Sequence, residues 1–242
     1  MIEGLRRARE GILPRIAQQE TLANNLANAL TPGFKRDKVS FQSVLKQAAA
    51  GGSPAPMPGG PSLAADPRTR PDMRPGSVDQ TGNPLDLAIT GDAFFAVSTP
   101  AGERYTRAGN FTMNAGGQLS LPDGSQVLGE GGPIRVEGDV TISPDGTVTT
   151  GGQPAGRLRL VKFPEGAELT REGATLWASS GQPVAATGAT VKQGFLEGSN
   201  VNPVEEMIDM VAAFRSYESN MKSAQLQGDT LSVLINNVGR AR

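Results

Sequence analysis

A seam of mostly apolar residues running from Met207 to Val238 constrains this chain more than any other feature. Met207, Met210, Phe214, Tyr217, Met221, Ala224, Leu231, Ile235 and Val238 recur at alternating spacings of three and four, and only Gly228 interrupts them. That spacing is the a/d pattern of a packed helix. Asn202 is a natural N-cap and Pro203 suits the first helical position, so the helix should run from 203 to 238. Such a helix would be about 54 Å long. A compact domain of the size left in the middle of the chain has a radius of gyration of only roughly 13 Å. The helix therefore needs another long helix beside it.

The N-terminal segment is the candidate partner within the chain. Residues 2–31 read as a helix, with Leu5, Ile12 and Leu26 on one line and Ile16, Ala23 and Leu30 on the adjoining one. Arg9 and Gln19 break the seam, and Pro14 favours a kink there or a start just before it. Thr31-Pro32-Gly33 should end the helix, because Pro32 disfavours a helical Thr31 and Gly33 can take a positive φ. These three residues are the expected hinge. The N-terminal seam is shorter and weaker than its partner, so other copies are expected to cover the remainder.

Between the helices the pattern changes twice. Ser40 can cap a short helix over 40–49 with Phe41, Val44, Leu45 and Ala48 on one face. Residues 50–76 are rich in Gly, Pro and Ala and read as an extended linker. From about 82 to 195 the period becomes two: Leu85, Leu87 and Ile89 alternate with Asp86 and Ala88, and Phe95 and Val97 follow. Turn signals such as Thr99–Gly102, Asn114–Gly117, Pro122-Asp123-Gly124, Pro144-Asp145-Gly146 and Pro164-Glu165-Gly166 separate short strands, among them Val140–Ile142, Leu158–Phe163 and Leu176–Trp177. The expectation is an α+β protein. Long N- and C-terminal helices form a coiled-coil-like inner domain, with a β-rich central domain of meander or small-barrel type between them in sequence. The divisions fall at 1–33, 34–80, 81–197 and 198–242.

Composition narrows the function classes. The 242 residues include no Cys and no His, which removes disulfides, Cys/His zinc sites and every His- or Cys-based catalytic pair. A net charge of −1 offers no global field for nucleic acid. Arg6, Arg7, Arg9 and Arg15 read as a solvated helix face. Glu3, Glu10 and Glu20 argue against a transit peptide, and neither a secretory h-region nor a membrane-length apolar run is visible.

Chemical motifs are thin. Ser43/Lys46 and Ser219/Lys222 fit a Ser–Lys spacing, but the companion motifs that would make a hydrolase of it are missing. Gly129-Glu130-Gly131-Gly132 is followed by Pro133 and a strand-like run, not by the helix that a phosphate cradle needs. Asp123 and Asp145 fit their turns. No catalytic, cofactor or metal residue is expected.

Asn24, Asn25 and Asn28 are costly near a helix end. They fit either a fraying last turn or amides bonded to neighbouring helices in a packed assembly. Here the sequence resembles a family. Leu22-Ala23-Asn24-Asn25-Leu26-Ala27-Asn28 followed by Thr31-Pro32-Gly33-Phe34-Lys35-Arg36 is similar to the N-terminal signature of flagellar rod and hook proteins. Gly82–Ile89 with Phe94-Phe95-Ala96-Val97, and Tyr105-Thr106-Arg107-Ala108-Gly109-Asn110-Phe111, resemble elements of their central domain. Gly194-Phe195-Leu196-Glu197-Gly198-Ser199-Asn200-Val201-Asn202 with Glu205, Met207, Ile208, Tyr217 and Glu218 resembles their C-terminal signature. Ala93 stands where that family usually has Gly. Chain length and the run Val127–Ile134 are more similar to the proximal-rod member than to the distal-rod member.

The resemblance implies a structural subunit of the basal-body rod that polymerises axially and transmits torque. Its partners would be copies of itself, other rod proteins and the flagellar type III export apparatus. No nucleic acid or small-molecule substrate is implied. Its place would be the extracytoplasmic basal body, reached without a cleaved signal. The terminal helices would line an inner wall and the β domain an outer layer. The expected assembly interface comprises Leu22, Asn24, Asn25, Leu26, Asn28 and Leu30 on the first helix. On the last helix it comprises Met207, Met210, Phe214, Tyr217, Met221, Leu231 and Ile235. The competing reading is an envelope β-rich binding or adhesion module on a coiled-coil stalk.

Overall fold

A computed structural model describes residues 2–42, 66–164, 166–167 and 169–239. The described residues fall into two compact units. One draws on the ranges 1–27, 36–72 and 202–242, and the other on 28–35 and 73–201.

The first unit is built on two helices, α1 (Ile2–Ala27) and α2 (Pro203–Gly239). α2 starts where its cap places it: the Asn202 side-chain oxygen accepts from the Val204 N–H at 3.1 Å. Glu205 and Glu206 in its first turn face the positive end of the helix dipole. α1 runs through Pro14 and stops at Ala27, four residues before Thr31, with Asn28–Leu30 in a turn. The two helices pack together, and the last turn of α1 meets the first turn of α2. They therefore run side by side in opposite senses.

The same unit holds a two-stranded antiparallel ribbon, β1 (Asp37–Gln42) with β2 (Asp66–Pro71). This corrects two expectations. Ser40 does not cap a helix; it lies inside β1, opposite Arg68. The supposed linker contributes β2 at 66–71. The physical reason is that each strand finds its partner some thirty residues away, as the pairing of Asp37 with Pro71 shows. No local periodicity announces such a partner. Residues 43–49 and 50–65, with Ser43 and Lys46, lie outside the described residues.

The second unit is β-rich, and its described strands pair antiparallel throughout. It opens with β3 (Val78–Gln80) and β4 (Leu87–Thr90), which pair with Phe195–Glu197 and Thr190–Gln193 respectively. β5 (Phe94–Thr99) and β6 (Gly102–Thr106) form a hairpin at the centre of a ten-stranded sheet. β5 divides the hydrophobic core. Phe95 and Val97 enter a large cluster with Leu87, Phe111, Leu119 and Val127. Phe94 and Ala96 enter a second with Tyr105, Val161 and Trp177. Strict alternation of buried and exposed faces is therefore absent at the start of this unit. Leu87, Ala88 and Ile89 are all buried, and Asp86 is buried with its carboxylate accepting from the Asn83 amide at 3.0 Å. Phe95 and Phe111 meet edge to face with ring centroids 5.0 Å apart, a geometry that adds about 1 kcal/mol to the burial itself.

The turns follow their residues. Asp123 accepts from the Ser125 N–H at 2.8 Å, and Asn114 accepts from the N–H groups of Gly116 and Gln118 at 2.9 Å each.

Candidate assembly surface and connectors

Within the first unit, a polar anchor closes the end of α1. Asn25 is fully buried. Its side-chain amide donates to the Asp37 carbonyl at 2.9 Å, and its oxygen accepts from the Asp37 N–H at 2.9 Å. The side chain thus pairs with the first residue of β1 as a neighbouring strand would. The same amide donates to Glu206 at 3.2 Å. Glu206 is fully buried on α2 and forms an ion pair with Arg36, whose guanidinium also approaches Asp209 at 3.6 Å. Lys38 and Asp72 pair at 2.8 Å beside the ribbon. Removing one partner of a buried pair such as Glu206–Arg36 costs about 3–5 kcal/mol, because the other charge is stranded.

The helix surfaces differ from the heptad reading. On α2 the buried residues are Glu206 and Ala213, with Met210 and Tyr217 half-buried on the same side. Met207 and Phe214 are about half exposed, Met221 is 44% exposed, and Val204, Ile208, Val211 and Leu226 are exposed as well. At 100° per residue, Val204, Met207, Ile208, Val211 and Phe214 occupy a continuous stripe beside the buried one. The side chains of Leu231 and Ile235 lie outside those described. On α1, Leu22 and Asn25 are buried and Leu26 is half-buried, whereas Asn24 and Ala23 are exposed and Ile16 is 37% exposed. Asn28 lies in the turn that follows, half-buried, and Leu30 is 93% exposed there. The face that α1 buries therefore passes through Leu22 and Asn25, not through Ala23 and Leu30. The apolar period missed it because a buried Asn, not an aliphatic residue, completes that face.

Within the second unit, residues 31–35 are held in place. Gly33 has φ +70°, and a Cβ there would stand 2.2 Å from the Ala108 nitrogen. Its N–H donates to the Glu197 carbonyl at 2.8 Å. Thr31 and Pro32 are half-buried. Phe34 is fully buried, and the Arg171 guanidinium lies between its ring and that of Trp177, 4.4 and 4.5 Å from the two centroids. Arg171 also donates to the Lys35 carbonyl. Lys35 is fully buried and pairs with Glu197, and the other carboxylate oxygen of Glu197 accepts from Arg107 at 3.4 Å. Burial pushes the Arg107 guanidinium below its ordinary value, against the pull of Glu197 and Asp92.

Sequence reasoning singled out the hinge residues but assigned no role to Glu197, Glu206 or Arg171. One signal was available: two adjacent cations, Lys35 and Arg36, and two carboxylates nine residues apart at 197 and 206. Ser219 and Lys222 are both exposed on α2. Among the described residues no group of three or more Asp or Glu side chains is placed to hold a metal ion.

Comparison with known proteins connects these features. Residues 15–35 match the family "Flagella basal body rod protein", 88–150 match "Flagellar hook protein FlgE/F/G D1 domain", and 192–237 match "Flagellar basal body rod FlgEFG protein C-terminal". The chain is 39% identical to the flagellar basal-body rod protein FlgF of Salmonella typhimurium over 228 residues, covering 85% of this chain and 86% of that one. It is 38% identical to FlgF of Escherichia coli, covering 93% and 90%. It is 34% identical to the rod protein FlgG of Bacillus subtilis, covering 90% and 92%. Both buried anchors lie in or beside the terminal matches: Asn25 and Lys35 in the first, Glu197 and Glu206 in the last. The chain belongs to the flagellar basal-body rod protein family, a family of structural axial components and not of enzymes.

Proposed function

We propose that this chain is a rod subunit that polymerises axially with copies of itself and with other rod proteins, passing torque along the rod. The observation that carries this reading is the exposed apolar stripe on α2 formed by Val204, Met207, Ile208, Val211 and Phe214. A contiguous apolar surface of this kind is characteristic of a protein interaction site. Large exposed hydrophobics at three- and four-residue spacing suit a neighbouring helix, with the pattern of a supercoiled seam. An axial polymer also needs heterologous contacts that do not close into a ring. Thr31, Pro32 and Gly33 then act as a fixed joint following α1. Delivery through the flagellar type III apparatus to an extracytoplasmic basal body belongs to the same reading.

Negative-stain imaging of the purified chain incubated with isolated basal bodies tests it. The expected result is density added at the rod. Basal bodies that bind none of the chain, at concentrations where a neighbouring rod protein does add, would overturn it.

A further inference from the structure

Three stretches of chain converge on one buried carboxylate in the second unit. Gly33 donates its N–H to the Glu197 carbonyl at 2.8 Å, and the Lys35 ammonium pairs with a Glu197 carboxylate oxygen. That same oxygen accepts from the Gly76 N–H at 3.2 Å. The Arg74 carbonyl accepts from Lys35 at 2.9 Å and from the Asn200 amide at 2.9 Å. The Gly198 N–H donates to the Ser77 carbonyl at 2.7 Å. Contact is close enough that a Cβ on Gly76 would stand 2.1 Å from the Gly198 oxygen. Each stretch borders a place where the chain changes unit: after Lys35, before Met73 and after Val201.

We infer that Glu197 is the positioning residue of the connectors: its single carboxylate binds the stretches 33–35, 74–77 and 197–200 into one cooperative clasp that opens as a unit, separately from the β core. Lys35, Glu197 and Arg107 are all almost fully buried, and both cations pair with the Glu197 carboxylate. Neutralising the carboxylate takes its charge from both cations and weakens the acceptor of the Gly76 N–H in the same step. Charge-assisted bonds of this kind are the strong ones. Local opening in cooperative segments is the normal behaviour of native proteins, and amide exchange reads it residue by residue.

The test uses the isolated 242-residue chain, so it does not depend on assembly. Amide hydrogen exchange is followed by NMR at Gly33, Gly76 and Gly198, with the Leu119 and Val136 amides, bonded to Ile134 and Gly117, as core references. In the wild-type chain the three clasp amides should share one opening equilibrium, within about threefold, and open more readily than the core. In Glu197→Gln all three should open at least tenfold more readily together, with Leu119 and Val136 unchanged. A parallel readout is acetylation of lysines by a water-soluble succinimidyl ester. Lys35 should react far more slowly than the half-exposed Lys38 in the wild type and approach it in the variant. Three unrelated opening equilibria in the wild type would overturn the inference whether or not the variant folds. Acceleration confined to Gly76, or equal acceleration of clasp and core, would overturn it in the variant.

Discussion

The Asn25 amide donates to the Glu206 carboxylate at 3.2 Å across 181 positions of sequence, and the same side chain holds both backbone polar groups of Asp37. One residue therefore fixes the end of α1 against α2 and the start of β1. Replacing it by the near-isosteric Leu would remove its bonds to the Asp37 N–H and carbonyl and a donor from Glu206. That should destabilise the helical unit by about 2–3 kcal/mol. Urea unfolding followed by far-UV circular dichroism should show the helical signal lost at lower denaturant. Emission from Trp177, the one tryptophan in the chain, should report an unshifted β unit. An unchanged helical transition would count against the anchor.

Phe214 lies about half exposed on α2 in the single chain. Phe214→Asp should therefore leave folding of the isolated protein within about 0.5 kcal/mol of wild type, as surface changes usually do. In a rod the same carboxylate would sit unpaired in an apolar helix contact, at a cost of several kcal/mol. The expected outcome is normal stability, few completed basal bodies by electron microscopy and loss of swimming. Wild-type motility in that strain would remove Phe214 from the interface.

How far the sequence could be read depends on whether the signal is local. The Asn202-Pro203 start of α2 and the turns at Asp123 and Asn114 are local devices, and the structure uses them as the sequence suggested. β1 and β2 are not local: their partner positions lie on opposite sides of a segment of more than twenty residues, so Ser40 was misread as a helix cap. The buried face of α1 was misread for a different reason. Asn25 occupies a core position as a polar residue satisfied by three bonds, and apolar counting cannot register it. Glu197 and Glu206 look like ordinary surface acids until Lys35 and Arg36 are brought against them.

Tyr105 provides a titration with a defined direction. Burial, then the neighbouring Glu103 carboxylate, raises the phenol to about 12. A folded value above the unfolded value of about 10 means that the folded state holds the proton more tightly. The resulting stability is complete below pH about 10 and is lost as pH rises from there towards 12, amounting to about 2 kcal/mol. A Tyr217→Phe background leaves Tyr105 as the single tyrosine, since the chain has two. Phenolate absorbance should then rise with a midpoint near 12 in the folded protein. A midpoint near 10 with the fold intact would contradict the burial.

Two glycines make opposite demands and separate a fixed joint from a permissive loop. Gly33 holds φ +70°, and a Cβ built on it would stand 2.2 Å from the Ala108 nitrogen and 2.6 Å from its Cα. Both neighbours are backbone, so neither can rotate away as a side chain would. Gly228 lies within α2 with nothing within 4 Å of its would-be Cβ. Gly33→Ala should therefore destabilise the β unit by more than the roughly 1–2 kcal/mol of left-handed strain alone, since the backbone contact must also open. Gly228→Ala should instead stabilise α2 by up to about 1 kcal/mol. Thermal unfolding of the two variants should shift in opposite directions. Pro32→Ala is the control for a joint: it leaves Gly33 and its contact with Ala108 intact. If Gly33 in its socket is what fixes the path of the chain, Pro32→Ala should still build rods, and Gly33→Ala should be exported yet yield few or misshapen ones. Equal numbers of intact basal bodies from Gly33→Ala and wild type would make residues 31–33 an ordinary loop.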